Sequence, residues 1–339
     1  FLPPAVEAAT RENAVKAKLD GTDKVSGAKL GVPFPIPKSG AEVIWNHKLK
    51  YKGDAAKRYN NQAIVKADGT YSITKLTEEV KFKYANAKEP GDGKLLAYYL
   101  SETISPPRVA GQLTLVHETA DQSSGGRLAW IFSPGLGRVN RAPDVGYDNP
   151  SVGTDNEQYN DQIDVFNGAL DRYHWKLVGR KEMYIPYNSN RMNVPLKDSE
   201  LLLAHHLNPD HVRWELHRVW VVEATLGAGK RHVVPKRKYY IDEDSWQIVL
   251  LDGWDAKGEL WRTNYTLMLL APDIPAVVGN MLWGGYDLQT GAYYLNMASN
   301  ELASQYTLGY TSKNQRRDGA RILALGPGRG NSRAGPWFF

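Results

Sequence analysis

The stretch that decides the fold is Arg237–Leu267, RKYYIDEDSWQIVLLDGWDAKGELWRTNYTL. It predicts three consecutive antiparallel strands, because short apolar and aromatic runs alternate with turn residues such as Asp, Ser and Gly. The middle strand, Trp246–Leu251, carries large apolar side chains on both faces, whereas a sheet with one face in water alternates more cleanly. Each face is therefore expected to contact something apolar, either a layer of helices or a ligand.

Further strands are expected on both sides of this stretch. Val212–Thr225 turns at Gly227–Gly229 and returns through Lys230–Ile241, which makes Val212–Leu267 a four-stranded meander. Nearer the N-terminus, the turn Asp68-Gly69 predicts a hairpin. Its strands, and those that follow, are Ala63–Ala67, Thr70–Lys83, Leu95–Ile104, Arg108–Thr119 and Arg127–Phe132. Their short connections favour antiparallel neighbours.

Helices are expected where the apolar residues recur at helical spacing or a capping pattern occurs. Ser39 with Glu42 forms a capping-box pattern before a short helix. The other segments expected to be helical are Val6–Leu19, Asp155–Phe166, Pro272–Gly285 and Asn296–Tyr306. The rest of the middle region, Ser133–Ser199, is rich in Gly, Pro, Asn and aromatic residues, which predicts an ordered loop and not a disordered linker.

Composition excludes several classes of function. The chain has 339 residues, a net charge of +5 and no cysteine. Thiolate catalysis, iron–sulfur clusters and Cys-ligated zinc are therefore excluded, and the diluted positive charge gives no reason to expect nucleic acid. No run approaches the ~20 apolar residues of a membrane span. The first residue is Phe, and removal of a secretory signal is the simplest explanation.

Motifs for catalysis or metal binding are weak. Gly227–Lys230 lacks the spacing of a phosphate-binding loop, and no His-Glu-x-x-His zinc motif occurs, so we expect no metal and no cofactor. Asp161 and Asp164 are the candidate pair for a hydrolase that uses two carboxylates. Aromatic residues of the meander either line a hydrophobic cavity or fill an ordinary core, and both interpretations stay open at this point.

Four long runs carry a likeness to a known family. They are Gly31–Pro37 with Gly40–His47, Val165–Gly179, His206–Leu226 and Tyr240–Trp246. Together they resemble a family of Gram-negative secreted proteins catalogued as domain of unknown function 1329, and the likeness covers most of the chain. Members of this family look related to LolA/LolB-like carriers of outer-membrane lipoprotein sorting. Those carriers are incomplete antiparallel β-barrels over helices, with an apolar cavity for acyl chains.

The resemblance implies a location, a role and a partner. It implies a periplasmic carrier of a hydrophobic molecule, and it implies an RND-type inner-membrane transporter as partner, because family members are often encoded beside one. It carries over no catalytic residue, and we expect no enzyme. A receptor of the LolB type is anchored through a Cys, so a chain without Cys fits a soluble carrier better.

The expected architecture is one α+β domain spanning residues 1–339. It is a strongly curved antiparallel sheet that forms an incomplete β-barrel with helices on its concave side, plus an extended N-terminal segment and a C-terminal tail. The expected function is a periplasmic carrier for a lipid or other hydrophobic ligand, with the middle region as a lid. An envelope hydrolase and a structural adaptor without a ligand remain alternatives. The candidate cavity residues are Trp220, Val222, Tyr240, Trp246, Ile248, Leu250, Trp261 and Tyr265, and the candidate head-group residues are Arg138, Arg141 and Arg172.

Overall fold

The computed structural model describes residues 2–86, 95–122, 127–142, 147–151, 153–271, 276–298, 300–301 and 306–308. Its helices are α1 (Pro4–Lys16), α2 (Gly40–Leu49) and α3 (Asp198–Leu201). The first eight strands are β1 (Lys18–Asp20), β2 (Lys24–Ser26), β3 (Ala55–Val65), β4 (Tyr71–Phe82), β5 (Leu95–Ser105), β6 (Leu113–Thr119), β7 (Leu128–Ser133) and β8 (Arg138–Arg141). The others are β9 (Tyr173–Pro186), β10 (Trp214–Leu226), β11 (Lys236–Asp242), β12 (Ile248–Trp254), β13 (Leu260–Ala271), β14 (Ala276–Asp287), β15 (Tyr293–Asn296) and β16 (Tyr306–Leu308).

One large antiparallel sheet organises the chain. Its strand order is β8-β7-β6-β5-β4-β3-β15-β14-β13-β12-β11-β10-β9, with β16 paired to β3, while β1 and β2 form a separate ladder. The two edges are β8 and β9, and in the described part of the chain no ladder joins them. The sheet is therefore not closed, and the predicted incomplete barrel is confirmed.

The predicted four-stranded meander is confirmed as β10 to β13, with one correction. Trp246 does not begin the strand predicted over Trp246–Leu251, which is β12; it lies in the turn before that strand, with a left-handed φ of 59°. The ladder between β11 and β12 is irregular, because Tyr240 pairs with Leu250 while Ile241 pairs with Ile248. Both faces are covered as expected, since Ile248 belongs to the main core cluster and Val249, between the paired residues, to a second one.

Helix α2 forms as its sequence predicts and fills the inner face of the sheet. The Ser39 side chain accepts a hydrogen bond from the Glu42 backbone N–H at 3.2 Å, which satisfies one free donor of the first turn. Ile44, Trp45 and Leu49 are all buried in the main core cluster, where the helix packs against β9 and β10. This packing directs the C-terminal end of α2 towards β3 and β4.

The middle segment runs inside the sheet between its two edges. Val165, Phe166 and Leu170 belong to the main core cluster, so the predicted order of this region is confirmed for its described residues. The predicted helix over Asp155–Phe166 is wrong, because only one 3₁₀ turn, Asn160–Gln162, occurs there. The alternating pattern of β9, which the sequence analysis left within a loop, was a readable strand signal.

The predicted helix over Pro272–Gly285 is wrong, because strand β14 occupies most of it and residues 272–275 lie outside the described part. A side chain at Gly284 would collide with Tyr265 and with the backbone of Tyr294, so this strand packs where only glycine fits. The helix predicted from Asn296 is also wrong where the structure describes it. Asn296 ends β15, residues 297–298 and 300–301 are not helical, and the C-terminal tail lies outside the described residues.

Candidate functional site

A cavity of about 470 Å³ lies under strands β3 to β7, on the inner side of the sheet. Its other walls are the C-terminal end of α2 and the middle segment, which contributes Asn149–Ser151 and several residues between Gln158 and Asn167. This volume lies within the usual range of small-molecule sites, roughly 300–1,000 Å³. The part of the sheet that carries the cavity is therefore the N-terminal half and not the meander.

The sheet wall of the cavity mixes apolar and charged side chains. On β4, alternate residues point into it, and they are Leu76, Glu78, Val80 and Phe82. The neighbouring strands add the apolar residues Leu96, Ala97, Val116 and Ile131. The lining also includes five cationic side chains and three carboxylates, namely Lys48, Lys50, Lys52, Arg58, Arg127, Glu78, Glu118 and Asp164. An amphiphilic ligand fits such a wall better than a purely apolar one.

One ion pair is built into the sheet wall itself. The Arg58 Nε atom lies 2.5 Å from a carboxylate oxygen of Glu78, across the β3–β4 ladder. The second oxygen of Glu78 accepts hydrogen bonds from Asn60 at 2.9 Å and from the Tyr99 hydroxyl at 2.8 Å. Glu78 is almost fully buried, and these contacts satisfy both of its oxygens.

A second buried cluster joins α2 to the middle segment through Asp164. Its Oδ2 atom lies 2.6 Å from the Lys52 ammonium and 3.4 Å from the Lys50 ammonium. Its Oδ1 atom accepts a hydrogen bond from the Gln247 side chain at 3.1 Å. Burial raises the pKa of Asp164, but Lys50 and Lys52 outweigh it and hold the pKa well below the usual range. Asp164 is therefore ionised at neutral pH.

His47 completes this cluster as a neutral side chain. Burial lowers the pKa of His47 well below the usual histidine value, and the charge of Lys50 lowers it further. Its Nδ1 atom is 3.0 Å from the backbone N–H of Ile248, which requires that nitrogen to accept. The proton is thus on Nε2, which lies 3.9 Å from Asp164.

The third charged group of the cavity lies where α2 approaches β6 and β7. The Lys48 ammonium donates to the Gly168 carbonyl at 2.5 Å and lies over the ring of Phe166. Arg127 lies 2.5 Å from Glu118 and donates to the carbonyl of Asn167, which precedes Gly168. Two cations thus converge on adjacent carbonyls of the middle segment, and one of them, Arg127, is paired with a carboxylate.

Asp161 and Asp164, the candidate hydrolytic pair, both serve as counterions of buried bases. Asp161 lies 2.7 Å from Arg237 Nη1 and 3.1 Å from His232 Nε2. Burial raises the pKa of Asp161, and the charges of Arg237 and His232 lower it more strongly, to well below the usual range. Since both carboxyl groups are ionised at neutral pH, neither is a proton donor for general acid catalysis there.

The aromatic and aliphatic residues predicted to line a cavity do not line this one. Val222, Ile248 and Tyr265 are buried in the main core cluster, and Leu250 packs against both clusters. The remaining four make local contacts, in which Trp220 stacks on Trp246 at 6.1 Å, Tyr240 donates to Asp252, and Trp261 donates to Asp287. Their contact with a ligand stays a prediction.

The predicted head-group arginines are also outside the cavity lining. Arg138 and Arg141 are exposed on the edge strand β8. Arg172 lies 3.0 Å from Asp148 and donates to the carbonyl of Arg231. The cations that the structure places in the cavity wall are at the end of α2 and just after it, on β3, and before β7. The polar residues Arg58, Asn60 and Gln62 recur at every second position of β3, and this spacing was the available signal for Arg58.

Three side chains of the described part could hold a metal ion. His217, Asp242 and Asp244 offer ligand atoms within 4.8 Å of one another. Asp242 is buried, and His217 Nδ1 lies 3.4 Å from its Oδ1 atom, while Ser245 donates to Oδ2. The contact of His217 with Asp242 and the hydrogen bonds from Ser245 account for this arrangement without a metal.

Comparison with known proteins gives one curated relative and several solved structures. The chain is 40% identical over 318 residues to the uncharacterized protein PA3922 of Pseudomonas aeruginosa, which covers 92% of this chain and 69% of that protein. A DUF1329 family protein from Desulfovibrio piger is similar in structure, with a TM-score of 0.50 at 14% identity, covering 76% of this chain and 88% of that one.

A second solved structure supports the fold. A putative outer membrane lipoprotein-sorting protein domain from Vibrio parahaemolyticus superposes with a TM-score of 0.53 at 14% identity, covering 82% of this chain and 97% of that one. No helix in the described part of the chain is long and apolar enough to cross a membrane. The family model described as Protein of unknown function (DUF1329) matches residues 1–321, and the chain belongs to that family.

Proposed function

We propose that this protein is a periplasmic carrier that binds a lipid or another hydrophobic molecule in the cavity under β3 to β7. The observation that carries the proposal is the cavity itself, with apolar side chains from four strands along its wall. Burial of a hydrocarbon chain there contributes roughly 25 cal/mol per Å² of apolar area. The shared fold of the lipoprotein-sorting domain supports a carrier, and a periplasmic location is part of the proposal.

The finer part of the proposal is an accessory role beside an RND-type transporter. Its support is the family resemblance, in which such a transporter is the expected partner. In this role the cavity would hold the ligand and a different surface would bind the transporter. A substitution that fills the cavity should therefore abolish ligand binding and leave transporter binding intact. The structural adaptor would be favoured by two results together: the wild-type protein carries no ligand, and a variant with a filled cavity is still captured by the transporter in a pull-down.

A hydrolase is the less favoured alternative. Asp161 and Asp164 would have to act as acid and base, but each is committed to buried cations. A hydrolase of this type needs one carboxyl group that holds its proton at the working pH. The buried ion pairs therefore favour binding over catalysis.

Filling the cavity is expected to remove the ligand. Ala97 on β5 lines the cavity, and Ala97→Trp should remove most of the space available to a hydrocarbon chain. We expect native mass spectrometry of the protein, purified gently from the periplasm, to show a bound lipid-sized molecule. The adduct should fall to less than a tenth of its wild-type fraction in Ala97→Trp.

The matched control is Ile104→Trp on the same strand. Ile104 is half exposed and points to the opposite face from the cavity-lining residues, so its replacement should keep the adduct. The carrier proposal is wrong if neither wild type nor control carries an adduct under conditions that preserve lipid complexes of a known carrier.

A further inference from the structure

The charges of the cavity wall are not balanced, and the imbalance lies at one place. Five cations and three carboxylates line the cavity. Arg58 is paired with Glu78, Arg127 with Glu118, and Lys50 and Lys52 share Asp164. Lys48 is different. Among the described residues, no carboxylate oxygen lies within 4.0 Å of its ammonium nitrogen, the distance that defines an ion pair. The net positive charge of the wall is thus concentrated around Lys48 and the shared lysines.

The surroundings of Lys48 leave its ammonium group available to a ligand. An ammonium carries three N–H donors, and the structure gives it one short acceptor, the Gly168 carbonyl at 2.5 Å. The rings of Trp45 and Phe166 lie nearby, with centroids at 5.4 and 5.8 Å from the ammonium nitrogen, and Lys48 lines the cavity. Arg127, which donates to the preceding carbonyl, that of Asn167, adds a second cation nearby.

The apolar part of the wall begins close to this group. Phe166 lines the cavity beside Lys48, and Val116 lies on β6 two residues before Glu118, on the same face. Val80 and Phe82 on β4 continue the apolar surface. A cavity with a charged group at one end and an apolar surface beside it is complementary to an amphiphile, a molecule with a polar head group and an apolar chain.

We infer that the ligand is an amphiphile with an anionic head group, a carboxylate or phosphate, which binds at Lys48 while its hydrocarbon part lies against β4 to β6. This inference rests on the proposed function and adds the chemistry of the ligand to it. Charge-assisted hydrogen bonds to carboxylate and phosphate are roughly twice as strong as neutral ones, so the head group determines selectivity. Lys48 is then a specificity-determining residue of the cavity.

Such a site should also respond to pH. Burial lowers the pKa of Lys48 to about 7, with Glu118 raising it and Arg127 and Lys52 lowering it. Asp161 in the middle segment is a further, weaker carboxylate influence that raises it. An anion favours the charged lysine, so binding raises this pKa and takes up protons. Affinity for an anion should therefore decrease as the pH rises above about 7, while affinity for a neutral amphiphile should not.

The test compares three amphiphiles that share a dodecyl chain: dodecanoate, dodecanol and dodecyltrimethylammonium. Trp283 lines the cavity, so tryptophan fluorescence below the micellar concentration reports binding. At pH 6.5 we expect dodecanoate to bind about tenfold or more tightly than dodecanol. The cationic amphiphile should bind weakest. At pH 8.5 the preference for dodecanoate should fall by several-fold.

Two substitutions of Lys48 separate its charge from its packing. Lys48→Met keeps most of the apolar stem and should reduce the preference for dodecanoate over dodecanol to about twofold or less. Lys48→Arg should keep the preference and lose the pH dependence, because guanidinium stays charged. Lys257→Met, in an exposed turn, is the control and should leave all three affinities unchanged.

The outcomes distinguish this inference from the function on which it rests. Equal affinity for dodecanoate and dodecanol in wild type would overturn the head-group inference and leave the carrier proposal intact. A preference for dodecanoate that survives Lys48→Met in a folded protein would overturn the assignment to Lys48. Binding of none of the three, together with no co-purified lipid, would overturn both proposals.

Discussion

Asp164→Asn is expected to lower the free energy of unfolding by about 3 kcal/mol, because it leaves Lys50 and Lys52 without their shared counterion. The substitution isolates charge. Asn has the same shape, can still accept from Gln247, and tolerates the left-handed φ of 55° at this position. Burial lowers the pKa of Lys50 well below its usual value, so part of the cost appears as loss of its proton. Urea unfolding at pH 7 measures the change.

The stabilisation by Asp164 should depend on pH. Asp164 has a folded-state pKa below its unfolded value of about 3.9, so its stabilisation is present above that pH and is lost as the pH falls below it. The difference in the free energy of unfolding between wild type and Asp164→Asn should therefore shrink in acid.

The double variant with Lys50→Met should recover part of the loss at neutral pH. As a matched control, Asp210→Asn in the exposed 3₁₀ turn Pro209–His211 should change stability by less than about 0.5 kcal/mol. A similar loss in both single variants would contradict the role given to Asp164.

Arg237→Met is expected to destabilise the protein by about 3–5 kcal/mol. Arg237 is 1% exposed and lies 2.7 Å from Asp161, with its guanidinium 5.1 Å from the centroid of the Tyr173 ring. Methionine fills much of the same space but leaves Asp161 buried with only His232 as a partner. Thermal and urea unfolding, monitored by circular dichroism, measure the loss.

The control is an exposed ion pair between an arginine and a glutamate on the same part of the sheet. Arg218 lies 2.6 Å from Glu243, but its side chain is 52% exposed. Exposed pairs of this kind contribute about 0–1 kcal/mol, so Arg218→Met should be nearly neutral. Arg237 does not line the cavity, and its variant should bind dodecanoate like wild type while folded. Equal destabilisation by the two substitutions would mean that burial of the pair is not the deciding quantity.

The sequence was sufficient for the meander and for α2, because their signals are local. Turn residues separate the strands β10 to β13, and Ser39 with Glu42 marks the start of the helix. The same local rules failed at β14. Its two adjacent glycines fit against Asn264, Tyr265 and Tyr294, which come from other strands. A contact of this kind depends on tertiary packing, and propensity along one strand does not reveal it.

The cavity under β3 to β7 is not lined by the residues of the meander that were predicted to contact a ligand. Aromatic density drew attention to Trp220 and Trp246, but these rings stack on each other beside the core. The face of β4 that lines the cavity carries both apolar and charged residues, with Glu78 between Leu76 and Val80, and a strand that faces solvent can carry the same mixture. One strand read alone does not distinguish a wet interior from the outside of the molecule. The partners of Glu78, which come from β3 and β5, make that distinction.

The ion pair between Arg58 and Glu78 bears on how the proposed carrier would keep its cavity open both with and without cargo. A cavity walled only by hydrocarbon gains free energy by collapsing, since every square ångström removed from water is favourable. Here Arg58 and Glu78 neutralise each other, with Asn60 and Tyr99 completing the hydrogen bonds of Glu78, so neither of these two charges needs the cargo as its partner. If the protein carries cargo as proposed, loading and release would need no refolding of the sheet. The polar framework that lowers the maximum affinity would then also make the cargo exchangeable.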